Sequence, residues 1–263
     1  MKKEIIYKDQ RIVYAVEGSG KPVMLVHGFG EDSSVWDNQV AFLKDHFQLI
    51  IPDLPGTGQS AMVDDMSMEG MADVLKAIAD QETNEPFTLI GHSMGGYITL
   101  AFAEKYADRL NGFGLFHSTA FADSEEKKAT RQKGIEFIRQ HGAFEFLKTA
   151  TPNLFSPKTK DERPELIDKQ IDGLRNFSPD SLVSYYQAMM ARPDRVAVLK
   201  ETTLPVLSII GEHDAAVPMA DTLKQGHLPE KSYIHILSDS GHMGMLEERD
   251  KSNHALYEFL QAI

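Results

Sequence analysis

Gly91-His92-Ser93-Met94-Gly95-Gly96 is the stretch on which the reading of the fold turns. Before it, Phe87–Ile90 is a short apolar run, as a strand buried on both faces requires, and after it Met94–Tyr106 carries helical spacing. A serine between a buried strand and a helix, flanked by glycines, is the pattern of a sharp turn that holds up a nucleophile. The central residue of such a turn takes strained backbone angles, and glycines relieve the crowding that side chains would cause around it. The helix N-terminus behind Ser93 also favours negative charge developing next to it.

Outward from this turn the chain alternates. Upstream, Arg11–Glu17 is rich in β-branched residues and ends at Gly18-Ser19-Gly20, while Pro22–Val26 and Phe47–Ile51 are buried-strand runs. Ser33–Leu43 and Met68–Ala79 show helical periodicity, and Gly112–Phe116 reads as a further strand. The alternation predicts an α/β fold with a mostly parallel sheet and helices on both faces. From Ser118 to Lys200 no buried strand is expected. Helical segments at Glu125–Gln140, Ala143–Thr149, Pro164–Leu174 and Ser181–Ala191 are punctuated by Pro152, Pro157, Pro164, Pro179 and Pro193. So long an excursion reads as a helical lid (residues 118–200) inserted into a core formed by residues 1–117 and 201–263. The core pattern resumes with a strand at Pro205–Ile210, a helix at Met219–Gly226, a strand at Tyr233–Leu237 and a closing helix at Glu247–Ile263.

A serine hydroxyl is a weak nucleophile without a base. Among ten histidines, His242 stands out because Ser238-Asp239-Ser240-Gly241-His242-Met243 follows the last strand, and loops at the carboxyl ends of strands build sites in open α/β sheets. Asp214, in Gly211-Glu212-His213-Asp214 after the strand Pro205–Ile210, supplies an orienting acid. Singly, Asp214 reads as a loop cap and His242 as a solvated turn residue. Together, Ser93, Asp214 and His242 follow three strand ends in the chain order of a hydrolytic triad. His27-Gly28-Phe29-Gly30 follows Pro22–Val26, and the backbone N–H groups of Phe29 and Met94 are the expected oxyanion hole. Gly28, Trp36, His92, Val217 and Met243 are the expected pocket neighbours.

Composition narrows the classes. The 263 residues, 42% hydrophobic and 25% charged, suit one large domain. A net charge of −12 argues against nucleic acid or an anionic membrane as partner, although a local pocket can differ from the whole surface. The absence of cysteine excludes thiolate catalysis and cysteine metal sites. The basic start, Met1 to Asp9, reaches no apolar h-region and no run is long enough to span a bilayer, so the expected location is cytoplasmic.

These motifs, with Trp36 and Asp53-Leu54-Pro55-Gly56-Thr57-Gly58-Gln59-Ser60, resemble the α/β-hydrolase superfamily, in particular its lidded esterases, lactonases, peroxidases and C–C hydrolases. The resemblance covers the core and leaves the lid unmatched. It implies an eight-stranded sheet with the lid after the sixth strand, no metal or organic cofactor, and a small-molecule ester-like substrate. Ser93 stands where dehalogenases and epoxide hydrolases of similar shape carry Asp, which argues against both reactions. Small or medium esters are the leading expectation, with thioesters, lactones and C–C bonds beside a ketone as alternatives. A ligand sensor acting through a partner protein and a hydroxynitrile-type lyase are the other readings. Protonation of His242 is expected to suppress hydrolysis below pH ~6–7. Phe121, Phe137, Phe144, Phe146, Leu154, Phe155, Phe177, Tyr185, Tyr186, Met189 and Met190 are numerous enough to line an apolar pocket under the lid.

Overall fold

Eight strands account for the apolar runs: β1 (Lys2–Tyr7), β2 (Gln10–Glu17), β3 (Pro22–Val26), β4 (Gln48–Pro52), β5 (Phe87–His92), β6 (Leu110–Phe116), β7 (Pro205–Gly211) and β8 (Lys231–Leu237). In the computed structural model, which describes residues 1–263, they form one sheet in the order β1-β2-β4-β3-β5-β6-β7-β8. β1/β2 and β2/β4 pair antiparallel and every other pair is parallel. The central β3 shows why its run is continuously apolar. Met24 and Val26 enter one core cluster and Val23 and Leu25 the other, so each face of the sheet carries its own core.

The helices before the long excursion are α1 (Asp37–Leu43), α2 (Met68–Glu82) and α3 (Met94–Lys105). Between β6 and β7 there is no strand but six helices: α4 (Glu125–His141), α5 (Ala143–Ala150), α6 (Pro157–Glu162), α7 (Pro164–Gly173), α8 (Pro179–Ala191) and α9 (Val196–Glu201). α10 (Met219–Gly226), α11 (Gly244–Glu247) and α12 (Arg249–Ala262) complete the chain. Serine caps set several of these starts: Ser67, Ser124, Ser156 and Ser178 each accept a backbone N–H from the first turn. No helix is long and apolar enough to cross a membrane.

Three expectations change. β1 lies where the sequence showed only a basic start; its burial alternates between exposed and half-buried, and it sits at the sheet edge. Its hairpin turn uses Lys8 and Asp9 at positive φ (47° and 67°), a geometry usually signalled by Asn-Gly. Ser33–Leu43 divides into a 3-10 turn, Ser33–Trp36, and α1. The closing helix, α12, begins at Arg249 rather than Glu247 and packs on the sheet, and a separate short helix, α11, ends the His242 loop before it.

Candidate active site

Ser93 sits between β5 and α3 with φ 51° and ψ −115°, a region that L-residues occupy only under constraint. Several contacts hold it there. Its N–H donates to Phe116 O at 2.9 Å, and Ser118 Oγ–H donates to Ser93 O at 2.7 Å. A Cβ on Gly95 would stand 2.5 Å from Val26 O and 2.6 Å from His27 O, so the helix can approach β3 this closely only with glycine there. Met94 opens α3, and its N–H is among those a helix start leaves without an intrahelical acceptor.

The β7 and β8 ends supply the other two groups. His242 Nδ1–H donates to Asp214 Oδ2 at 2.8 Å, with both side chains buried. Asp214 Oδ1 accepts the N–H groups of Ala216 and Val217, each at 2.8 Å. Burial alone would raise the Asp214 carboxyl pKa. Electrostatic attraction to His242, with hydrogen bonds from His117 and His242, overcomes this and holds it far below the usual carboxylate range. The acid is therefore a carboxylate at neutral pH. The excursion between β6 and β7 also ties down this loop, because His242 N–H donates to Leu154 O at 2.6 Å.

Beside these groups lies a buried ionic pair. Glu31 Oε2 accepts Gly28 N–H at 2.7 Å and His92 Nδ1–H at 2.9 Å, and His92 Nε2–H donates to His242 O at 2.9 Å. Both ring nitrogens of His92 face acceptors, so the ring is an imidazolium. Burial works against that charge, but the Glu31 carboxylate outweighs it and raises the His92 pKa; the Glu31 carboxyl, pushed up by burial, is pulled below its ordinary value by His92. The pair joins the Gly28 loop, the Ser93 turn and the His242 loop. Burial lowers the pKa of a third histidine, His117, to about 4. Its two ring nitrogens face backbone N–H groups, Nε2 that of Gly244 at 3.2 Å and Nδ1 that of Gly211 at 3.1 Å, and Nδ1 lies 3.4 Å from Asp214 Oδ2.

Ser93 and His242 line one cavity of ≈ 600 Å³, with Phe29, Glu31 and Val217. A smaller one of ≈ 90 Å³ adjoins it, walled by Phe29, Glu31, Leu154, Tyr186 and Met243. Of the expected pocket neighbours, Val217 lines the larger and Met243 the smaller. Gly28, Trp36 and His92 line neither, which corrects that expectation. Gly28 N–H is taken by Glu31, and His92 is enclosed by its two acceptors. Trp36 is wholly buried edge-on to Phe116, ring centroids 5.5 Å apart, as packing beneath the turn.

The excursion contributes Phe121, Leu154, Tyr186 and Met189 to the larger cavity, but also Lys127, Arg131 and Arg192. Phe155 and Tyr185 instead belong to the core, and Phe137 is exposed. The wall is thus only partly the apolar lining expected. Glu31, Tyr97, His117, Arg131 and Arg192 were not legible as site residues. Glu31 does sit one position beyond His27-Gly28-Phe29-Gly30, the one available hint. No group of three or more His, Asp or Glu side chains converges as metal ligands.

The family model described as the alpha/beta hydrolase fold matches residues 21–249. A 2-hydroxy-6-oxononadienedioate/2-hydroxy-6-oxononatrienedioate hydrolase of Paraburkholderia phymatum is 28% identical over 95% of this chain and 91% of its own length. A pimeloyl-(acyl-carrier protein) methyl ester esterase of Vibrio cholerae is 24% identical over 94% of this chain and 97% of its own. A thermophilic esterase from Thermogutta terrifontis, solved with malate bound, superposes with a TM-score of 0.92 at 31% identity, covering 100% of this chain and 98% of that one.

Proposed function

The chain belongs to the α/β-hydrolase family, and from that premise we propose that it cleaves small or medium carboxylic esters through an acyl-enzyme on Ser93. The observation that carries this reading is the buried 2.8 Å bond from His242 to an ionised Asp214, in a loop that shares a cavity wall with the strained Ser93. His242 Nε2 takes the Ser93 proton as Oγ attacks the ester carbonyl. Asp214 holds the ring with its proton on Nδ1 and stabilises the imidazolium that forms. The N–H groups of Phe29 and Met94 receive the oxyanion; that of Gly28, bonded to Glu31, does not. His242 then returns the proton to the leaving alkoxide and activates water against the acyl-enzyme. The helices of residues 118–200 act as a lid, since they contribute much of the cavity wall.

A chain-length series of p-nitrophenyl esters, wild type beside Ser93→Ala, tests this. Turnover falling by ~10⁵-fold or more in the variant, with its melting temperature retained, is the expected result. An inert wild type, or a variant as active as wild type, overturns it. The Paraburkholderia relative, a C–C hydrolase by name, favours a second reading in which the same groups cleave a carbon–carbon bond beside a ketone. A wild type that turns over a vinylogous 1,5-diketone acid faster than any ester selects that reading.

A further inference from the structure

The roof of the larger cavity holds an imbalance of buried charge. Asp123 is wholly buried and faces two guanidiniums, those of Arg131 and Arg192, whose side chains are only 15% and 3% exposed. Arg131 spends one edge on it: Nε–H donates to Oδ2 at 2.6 Å and Nη2–H to Oδ1 at 3.3 Å. Arg192 Nη1 lies 2.9 Å from Oδ1, and this side chain is otherwise consumed within the protein. Nη1–H donates to Met189 O at 2.7 Å, Nη2–H to Phe121 O at 2.9 Å, and its guanidinium lies 3.8 Å over the Tyr97 ring. One carboxylate thus serves two cations, and no second acid pairs with either.

Arg131 lines the cavity, and its Nη1 meets no protein acceptor. Tyr97 and Tyr186 wall the same space, and neither hydroxyl has a hydrogen-bond partner in the protein. Lys127 adds a further cation, with its Nζ on Ala216 O at 3.0 Å. Of the acids in the same wall, Glu31 is paired with His92, Asp221 with Lys224 at 2.8 Å, and Glu126 is exposed. The buried excess of one positive charge therefore has no counterion in the protein. A buried charge without a partner is costly, whereas a free guanidinium edge in a cavity wall that also carries two tyrosine hydroxyls supplies the charge and donors that a carboxylate needs.

We propose that this roof is a carboxylate subsite anchored by Arg131, so that the preferred substrates are esters carrying a free carboxylate. The proposal rests on Ser93 acyl transfer for its chemistry but not for its binding. It also reconciles a chain of net charge −12 with an anionic substrate, because the recognising charge is confined to one wall of one cavity.

Two measurements test it on the intact protein. The first is calorimetric binding of glutarate and adipate, which needs no turnover. The second is kcat/KM for mono-p-nitrophenyl adipate relative to the same ester with its free acid capped as the methyl ester. Wild type binds a dicarboxylate and favours the uncapped ester. Arg131→Gln loses the binding and lowers the uncapped-to-capped ratio by ~10- to 100-fold. Arg131→Lys, which keeps the cation opposite Asp123 but lacks the planar fork, weakens binding by ~10-fold and stands in should Arg131→Gln fail to fold. Absent dicarboxylate binding in wild type, or binding that both variants retain in full, overturns the subsite. Arg131-dependent binding without hydrolysis of either ester upholds the subsite and removes the acyl-transfer reading instead.

Discussion

The floor and the roof of the cavity hold their functional groups by different means. On the floor, Ser93, Asp214 and His242 stand at the ends of β5, β7 and β8, and backbone geometry locks each of them. Ser93 is fixed by its own strained φ and by Phe116 O; Asp214 by two N–H groups of its own loop; His242 by Leu154 O. On the roof, Arg131 and Arg192 project from α4 and from the end of α8, and only side-chain contacts with Asp123, Tyr97 and backbone carbonyls position them. Strand ends place a group through the sheet's own hydrogen bonds, so one arrangement suits many substrates. Helix faces place a group through packing, which can change from one relative to the next without disturbing the floor.

If that division holds, floor variants lower kcat and roof variants redistribute kcat/KM among substrates. The largest effect among the supporting floor residues belongs to Asp214→Asn. It keeps the shape but no longer holds the His242 proton on Nδ1, and kcat is expected to fall ~10⁴-fold with KM nearly unchanged. Steady-state kinetics on one good ester check this; a loss confined to KM would place Asp214 outside the chemistry. Next comes Glu31→Gln, which leaves a weaker acceptor for Gly28 N–H and for His92. Because the pair ties the Gly28 loop to the His242 loop, kcat is expected to drop ~10- to 100-fold with substrate preference intact. Altered preference would assign Glu31 to the roof's role.

The smallest effect is on stability. His117 has a folded pKa of about 4 against ~6.5 in an unfolded chain. Between these values the unfolded state binds the extra proton, so stability falls as pH drops from ~6.5 to ~4. His92 works in the opposite sense: its raised pKa contributes stability that is present below ~6.5 and lost as pH rises through the folded value. Urea denaturation at pH ~4.5 and ~7.5, wild type beside His117→Gln, separates the two. The variant should lose part of the acid-side decline; an unchanged pH slope would mean that His117 contributes none of it.

The floor was legible because each part leaves a local mark. The glycines around Ser93, the apolar runs before Ser93 and Asp214, and the short loops after the last two strands are all neighbours in sequence of the groups they position. β1 was missed because its lysines and the Lys8-Asp9 turn carry none of the usual hairpin signals. Trp36 packs under the turn and not in the pocket, because a motif shows that a residue is near the site but not which way it faces. Glu31 and His92 lie 61 positions apart, so their mutual ionisation leaves no pattern that can be read along the chain.

Residue order was thus sufficient for seven of the eight strands and for the Ser93 turn, since strand and helix periodicity and glycine's conformational freedom act over a few residues. Tertiary packing settled the rest. It buried Glu31 against His92, made Asp214 the shared partner of two histidines, and brought two arginines, 61 positions apart, onto one carboxylate. Charge and burial act through space at a few ångströms, and which side chains come that close follows from how helices distant in the chain settle on the sheet.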